Sequence, residues 1–158
     1  MKKGRILNIR LNKAIASLGH LDWIIISDAG LPVQDEEQRI DLAIEAGKPE
    51  IAEILELVTS DLIYERCIVA KEQEDYNPVH FANVKKIIDR CNVETIPHEA
   101  LLEYKKKAKY IIRTGGFEPW GNVVLCCGVD APIWFQKEGV ITPDYYSKRA
   151  NYKEKEKN

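Results

Sequence analysis

Residues 23–26 read Trp-Ile-Ile-Ile, an apolar and β-branched run with no polar interruption. A strand covered on one face alternates apolar and polar side chains, so a continuous run demands cover on both faces. That demand constrains the chain most, because it calls for a sheet packed between other layers. Residues 122–129 carry a second such run, Asn-Val-Val-Leu-Cys-Cys-Gly-Val.

The segments between these runs supply the cover. Leu11, Ala14, Ile15 and Leu18 recur at helical spacing and predict a short helix ending at Gly19. Ile51, Ile54, Leu55 and Val58 predict a second helix with Pro49 in its first turn. Asn77-Pro78 reads as an N-cap and N1 proline for a third, buried through Val84, Ile87 and Ile88. Strands are expected at 39–42, 62–70, 93–96 and 110–113, and a further helix at 97–107. This alternation predicts an α/β fold, one three-layer α/β/α domain with a mostly parallel or mixed sheet. The pattern stops at Asp130. Residues 130–158 are then an extension, first aromatic (Trp134, Phe135, Tyr145, Tyr146) and then charged, with a disordered end. Its aromatics either dock on their own domain or wrap a neighbouring subunit.

Composition narrows the function classes. With 23 Lys and Arg against 25 Asp and Glu, the net charge of −2 gives no bias toward nucleic acid or an anionic membrane. No stretch approaches the roughly 20 apolar residues of a membrane span, and the first residues lack a signal-peptide core, so a cytoplasmic protein is expected. Cys67, Cys91, Cys126 and Cys127 have no metal-ligand spacing and read as small buried hydrophobes. Thr114-Gly115-Gly116 lacks the pattern of a phosphate loop and reads as a turn. No metal or cofactor is called for.

The polar groups at the two ends of the 23–26 run are the candidates for chemistry. His20 follows a helix C-terminus, where the helix dipole favours a protonated ring, and Asp22 is a possible orienting partner. It reads either as a general acid/base or as a helix cap. Asp28 lies where open α/β sheets bind ligands, and reads equally as an Asx-turn residue. His98 opens a helix, which suits a neutral hydrogen-bonding ring, whereas His80 reads as an exposed helical residue. Trp120-Gly121-Asn122 sets an aromatic face beside an amide, as a sugar site does, or is a turn with a core tryptophan.

Several ordered segments together resemble a known family. MKKGRILN, the GH-x-D of residues 19–22, SDAGLP, RIDLAI, the His98 helix and the stretch from Arg113 through Trp120-Gly121-Asn122 to VVLCCGV are similar to the RbsD/FucU family over residues 1–129. SDAGLP and RID resemble its ribose branch, and Gly121 before Asn122 its fucose branch. The resemblance implies a cofactor-free sugar isomerase interconverting ring forms or anomers of ribose or a related monosaccharide. It assigns His20 as the acid/base and Asp28, His98, Trp120 and Asn122 as sugar-binding residues. It also implies a ring-shaped homo-oligomer. A non-catalytic sugar-binding or regulatory oligomer, or a fucose-type mutarotase, is the alternative. Three departures stand out: Trp120 in place of the family's usual tyrosine, Gly116 in place of an acidic residue with Glu118 nearby, and the extension from Asp130.

Strand geometry adds one expectation. With about 3.3 Å per extended residue, His20 and Asp28 should lie on the order of 20 Å or more apart, wider than one pentose. Either the strand is bent and shorter than this reading, or a site using both draws them from different subunits.

Overall fold

The fold is described for residues 2–153 of a computed structural model. Its centre is a six-stranded sheet built from β1 (Trp23–Ser27), β2 (Arg39–Asp41), β3 (Tyr64–Ala70), β4 (Val93–Ile96), β5 (Ala108–Arg113) and β6 (Val123–Cys127), in the order β2-β5-β1-β6-β3-β4. The pairs β1·β5, β2·β5 and β3·β4 are parallel, while β6 runs antiparallel to both of its neighbours, β1 and β3. The carboxyl ends of β1 to β5 therefore share one edge of the sheet with the start of β6. The end of β6 lies at the opposite, amino edge.

The apolar run of β1 does what its composition required. Ile24 and Ile26 pack into one core and Ile25 into a second on the other face, all three essentially inaccessible. The larger core is covered by α1 (Ile9–Ser17), α2 (Ile51–Thr59) and α4 (Pro78–Ile87), through Leu11, Leu55, Val58 and Val84. The thinner layer holds α5 (His98–Leu102) and a 3₁₀ turn (Glu103–Lys106), through Leu101, Leu102 and Tyr104.

Local signals set the helix starts. The Asn8 side chain accepts the Leu11 N–H at 2.9 Å, and Glu53 accepts the Glu50 N–H at 2.8 Å to cap α2. Pro49 consequently lies outside the helix it was expected to open. The first helix ends at Ser17: Leu18 is extended, and Gly19 opens the next turn without the left-handed backbone expected of it. A helix the sequence pattern did not predict, α3 (Lys71–Tyr76), follows β3 directly. It stops at Asn77, where the following proline disfavours helical geometry.

Beyond Asp130 the chain forms α6 (Ala131–Trp134), a 3₁₀ turn (Asp144–Tyr146) and α7 (Ser147–Ala150). The charged terminus is anchored at its start, where the Arg90 guanidinium lies 4.5 Å from the centre of the Tyr152 ring. Residues 154–158 of that terminus lie outside the described residues. Among the described residues, no helix is long and apolar enough to cross a membrane.

Candidate functional site

Asp28 leaves the carboxyl end of β1 beside Asn122, which leads into β6. The Asn122 amide donates to Asp28 Oδ2 at 2.9 Å, and its oxygen accepts the Asp28 N–H at 3.1 Å. Asp28 Oδ1 accepts the Gly30 N–H at 2.7 Å, so the same carboxylate also closes an Asx turn. The Asx-turn reading of Asp28 is therefore observed, at the sheet edge where the ligand-binding reading also places it. The pairing leaves one Asn122 N–H and lone pairs on both Asp28 oxygens to meet hydroxyl groups.

The surrounding loops fix this pair. Thr114 Oγ1 donates to the Ser27 carbonyl at 2.8 Å and accepts the Gly116 N–H at 3.1 Å, which makes residues 114–116 the turn expected of them. Arg113 donates to the Ala29 carbonyl and to both oxygens of Asp41, tying the 28–30 loop to β2. At Gly121 a side chain would meet the Glu118 carbonyl at 2.8 Å and Ile51 at 2.9 Å, so glycine is required next to Asn122. The space a side chain at Gly116 would need is filled by the Glu118 carboxylate.

His80 corrects an expectation. Read as exposed, it is buried, and its Nε2 donates to the Gly121 carbonyl at 3.2 Å. It thereby holds the backbone next to Asn122. The signal was present in the spacing: His80 stands four residues before Val84, which faces the core, and so shares its side of α4.

Trp120 forms the rim. It is partly exposed, packs at a tilt against Tyr76 with ring centres 5.5 Å apart, and has φ of 54°. The Asn77 amide holds the adjoining Pro119 carbonyl at 3.1 Å. His98 begins α5 beyond β4, its N–H donating to Glu72 of α3 at 2.9 Å. Asp28, His98, Trp120 and Asn122 therefore all belong to the carboxyl edge.

Four side chains associated with this edge carry buried polar atoms without a protein partner: Ser27 Oγ, both amide atoms of Gln73, His98 Nδ1 and Glu118 Oε2. Such orphans cost roughly 1–3 kcal/mol each unless something fills their valences. A small polyhydroxylated ligand has the matching groups. Gln73 is a candidate the sequence did not single out, since it sits in a helix without an apolar stripe, whereas Glu118 was noted only as the acidic residue near Gly116.

His20 lies at the other edge. Residues 19–22 form a turn in which Asp22 N donates to the Gly19 carbonyl at 3.1 Å and Leu21 has φ of 67°. Among the described residues, Leu21 and Trp120 are the two non-glycine residues with positive φ. Backbone strain of this kind clusters at functional sites. The Leu21 N–H donates to the Cys127 carbonyl at 2.9 Å, which fixes the turn to the end of β6.

Asp22 does not orient the His20 ring. It accepts the Gly19 N–H at 2.8 Å and pairs with Lys109 at 3.0 Å, and these contacts hold its carboxyl below its usual value. These contacts hold the backbone of the turn that carries His20. The carboxylate at the ring is Glu65 of β3, whose Oε2 lies 3.3 Å from His20 Nε2. The same oxygen accepts Arg149 of α7 at 2.9 Å. Glu65 stands beside the histidine through the register of β3 against β6, which no local sequence signal gives.

β1 alone spans roughly 17 Å at about 3.3 Å per residue, so His20 and the Asp28–Asn122 pair stand far apart within one chain. The described residues bring the sugar-site candidates together at one edge and leave the acid/base candidate at the other.

A profile of the RbsD / FucU transport protein family matches residues 1–130. The chain belongs to the RbsD/FucU family. D-ribose pyranase 2 of Rubrobacter xylanophilus is 40% identical over 151 residues, covering 95% of this chain and 98% of that protein. D-ribose pyranase 1 of Streptomyces griseus is 41% identical over 150 residues, covering 94% and 99%. Among solved structures, RbsD of Bacillus subtilis complexed with D-ribose matches with a TM-score of 0.77 at 37% identity, covering 82% of this chain and 98% of that one. Family members thus come in two lengths, and the longer ones align into the segment beyond Asp130.

Proposed function

We propose that this protein is a D-ribose pyranase, a cytoplasmic, cofactor-free isomerase that exchanges the pyranose and furanose forms of D-ribose. The observation that carries the reading is the Asp28–Asn122 pair at an edge lined with unpartnered buried polar atoms, in a chain about 40% identical to D-ribose pyranases.

In this reading Asp28 and Asn122 take sugar hydroxyls, His98 Nδ1 meets another, and the Trp120 ring covers the apolar C–H face. An indole only donates, so Trp120 offers a larger stacking face than the family's tyrosine and no acceptor. Ring opening moves the anomeric hydroxyl proton to a base and delivers a proton to the ring oxygen, giving the open-chain aldehyde. A different hydroxyl then attacks the carbonyl and the transfers reverse. His20 serves both directions, a role worth about 10²–10⁴-fold.

Because β1 separates His20 from Asp28 within one chain, each site takes His20 from one subunit and the Asp28 cluster from another. The working protein is then a ring-like homo-oligomer. Saturation-transfer NMR on D-ribose tests the activity: catalytic amounts of protein should accelerate magnetisation exchange between pyranose and furanose signals. A tryptophan fluorescence response to ribose without acceleration would make this a sugar-binding protein instead, and a response to fucose alone would move it to the other branch.

A further inference from the structure

The carboxylate that meets His20 also meets a residue from the segment beyond Asp130. Glu65 is largely enclosed, its side chain 8% exposed, and a single oxygen, Oε2, meets both His20 Nε2 and Arg149 Nη1. Arg149 arrives from α7, some twenty residues past the end of the family match. The extension is anchored around it: the Arg149 guanidinium lies 5.2 Å from the Tyr146 ring centre, Tyr146 packs against Phe135 at 5.2 Å, and Tyr152 receives Arg90. Arg149 and Tyr152 line a small cleft together with Ile63, Tyr64 and Val129.

We infer that Arg149 is a positioning residue for the reaction, fixing Glu65 and setting the charge that His20 faces, so that in this chain the extension is a working part of the catalytic half-site. This rests on His20 being the acid/base of the proposed reaction. With its Nε2–H directed at Glu65, the neutral ring keeps its Nδ1 lone pair for substrate. A bare carboxylate at that position would favour the imidazolium, whereas an arginine on the same oxygen offsets the negative charge and holds the carboxylate in place.

The other charged groups nearby are already committed. Asp22, in the same turn, is paired with Lys109 of β5, and Arg66 of β3 makes a two-pronged contact with Glu94 of β4 at 2.9 and 2.8 Å. Cys126 and Cys127 of β6 are pushed up to about 11 and about 12 by burial, so neither thiol carries charge near neutrality. Glu65 and Arg149 are thus the pair whose balance His20 senses.

The test is the titration of His20 itself, read from its ring Cε1–H signal by NMR in the full-length protein and identified by its loss in His20→Gln. Relative to wild type, Arg149→Ala should raise the midpoint by about half a unit or more, and Glu65→Gln should lower it. Arg149→Lys, which keeps the charge, should return it most of the way, and Arg149→Ala added to Glu65→Gln should move it less than Arg149→Ala alone. The acidic limb of kcat/KM should shift in the same direction as the midpoint. An unchanged His20 midpoint in a folded Arg149→Ala protein would overturn the inference, as would an equal shift with and without Glu65. The midpoint is read without turnover, so a wild-type protein inactive on ribose would sink the functional reading and leave this result standing.

Discussion

The two edges of the sheet solve opposite problems. At the amino edge, the charges around His20 are matched within the chain: Asp22 with Lys109, Glu65 with Arg149, and the turn itself with the end of β6. At the carboxyl edge, Asp28 and Asn122 satisfy each other while Ser27, Gln73, His98 and Glu118 keep buried atoms without partners. One edge pairs its charges around His20, the acid/base of the proposed function. The other keeps unpartnered buried polar atoms, which in the proposed function receive hydroxyl groups. A sugar isomerase needs both, and β1 keeps them apart in a single chain.

That contrast predicts unequal consequences for substitutions at the two edges. His20→Ala should lower kcat for ribose ring exchange by about 10²–10⁴-fold while raising KM little, measured by saturation transfer across a ribose series. A comparable rise in KM would place His20 among the binding groups and erase the distinction. Asn122→Ala should do the reverse. Losing a hydrogen bond to the Asp28 carboxylate and one to the sugar should weaken ribose binding about 10- to 100-fold, at 1.5–3 kcal/mol for charged hydrogen bonds, with titrated Trp120 fluorescence as the readout.

The smallest effect concerns the turn that carries His20. Asp22 has a lowered carboxyl value through the Gly19 N–H and Lys109, so its contribution to stability is present above the unfolded value near 3.9 and fades as pH falls through the folded one. Asp22→Asn should therefore cost no more than about 1 kcal/mol at neutral pH, and the difference from wild type should close in acid. Urea unfolding at neutral pH and near pH 3 measures it. A deficit that persisted in acid would mean that the carboxylate charge is not what holds the turn.

Legibility from the sequence follows the same division. The doubly covered β1 and β6 were readable because their apolar runs admit few alternatives, and α2 and α4 because their buried stripes keep helical spacing. The Asp28–Asn122 contact joins two residues marked by type and position, since each flanks a strand. The polar helix α3 was not, because Lys-Glu-Gln-Glu-Asp-Tyr has no apolar period and its burial of Gln73 comes from the elements around it. Glu65 was hidden for a related reason: its meeting with His20 depends on the pairing of β3 with β6. Arg149 depends further on how the extension docks, a contact between positions 84 residues apart.

If each site joins His20 of one subunit to the Asp28 cluster of another, mixing two defective subunits must restore activity. His20→Ala and Asp28→Asn chains, each inactive alone, are coexpressed with different tags and the mixed oligomers purified through both. Random mixing at equal ratio should restore about a quarter of the wild-type ring-exchange activity, because one site in four then draws both intact residues from its two subunits. Mixed oligomers that form and remain as inactive as either parent would contradict the shared site.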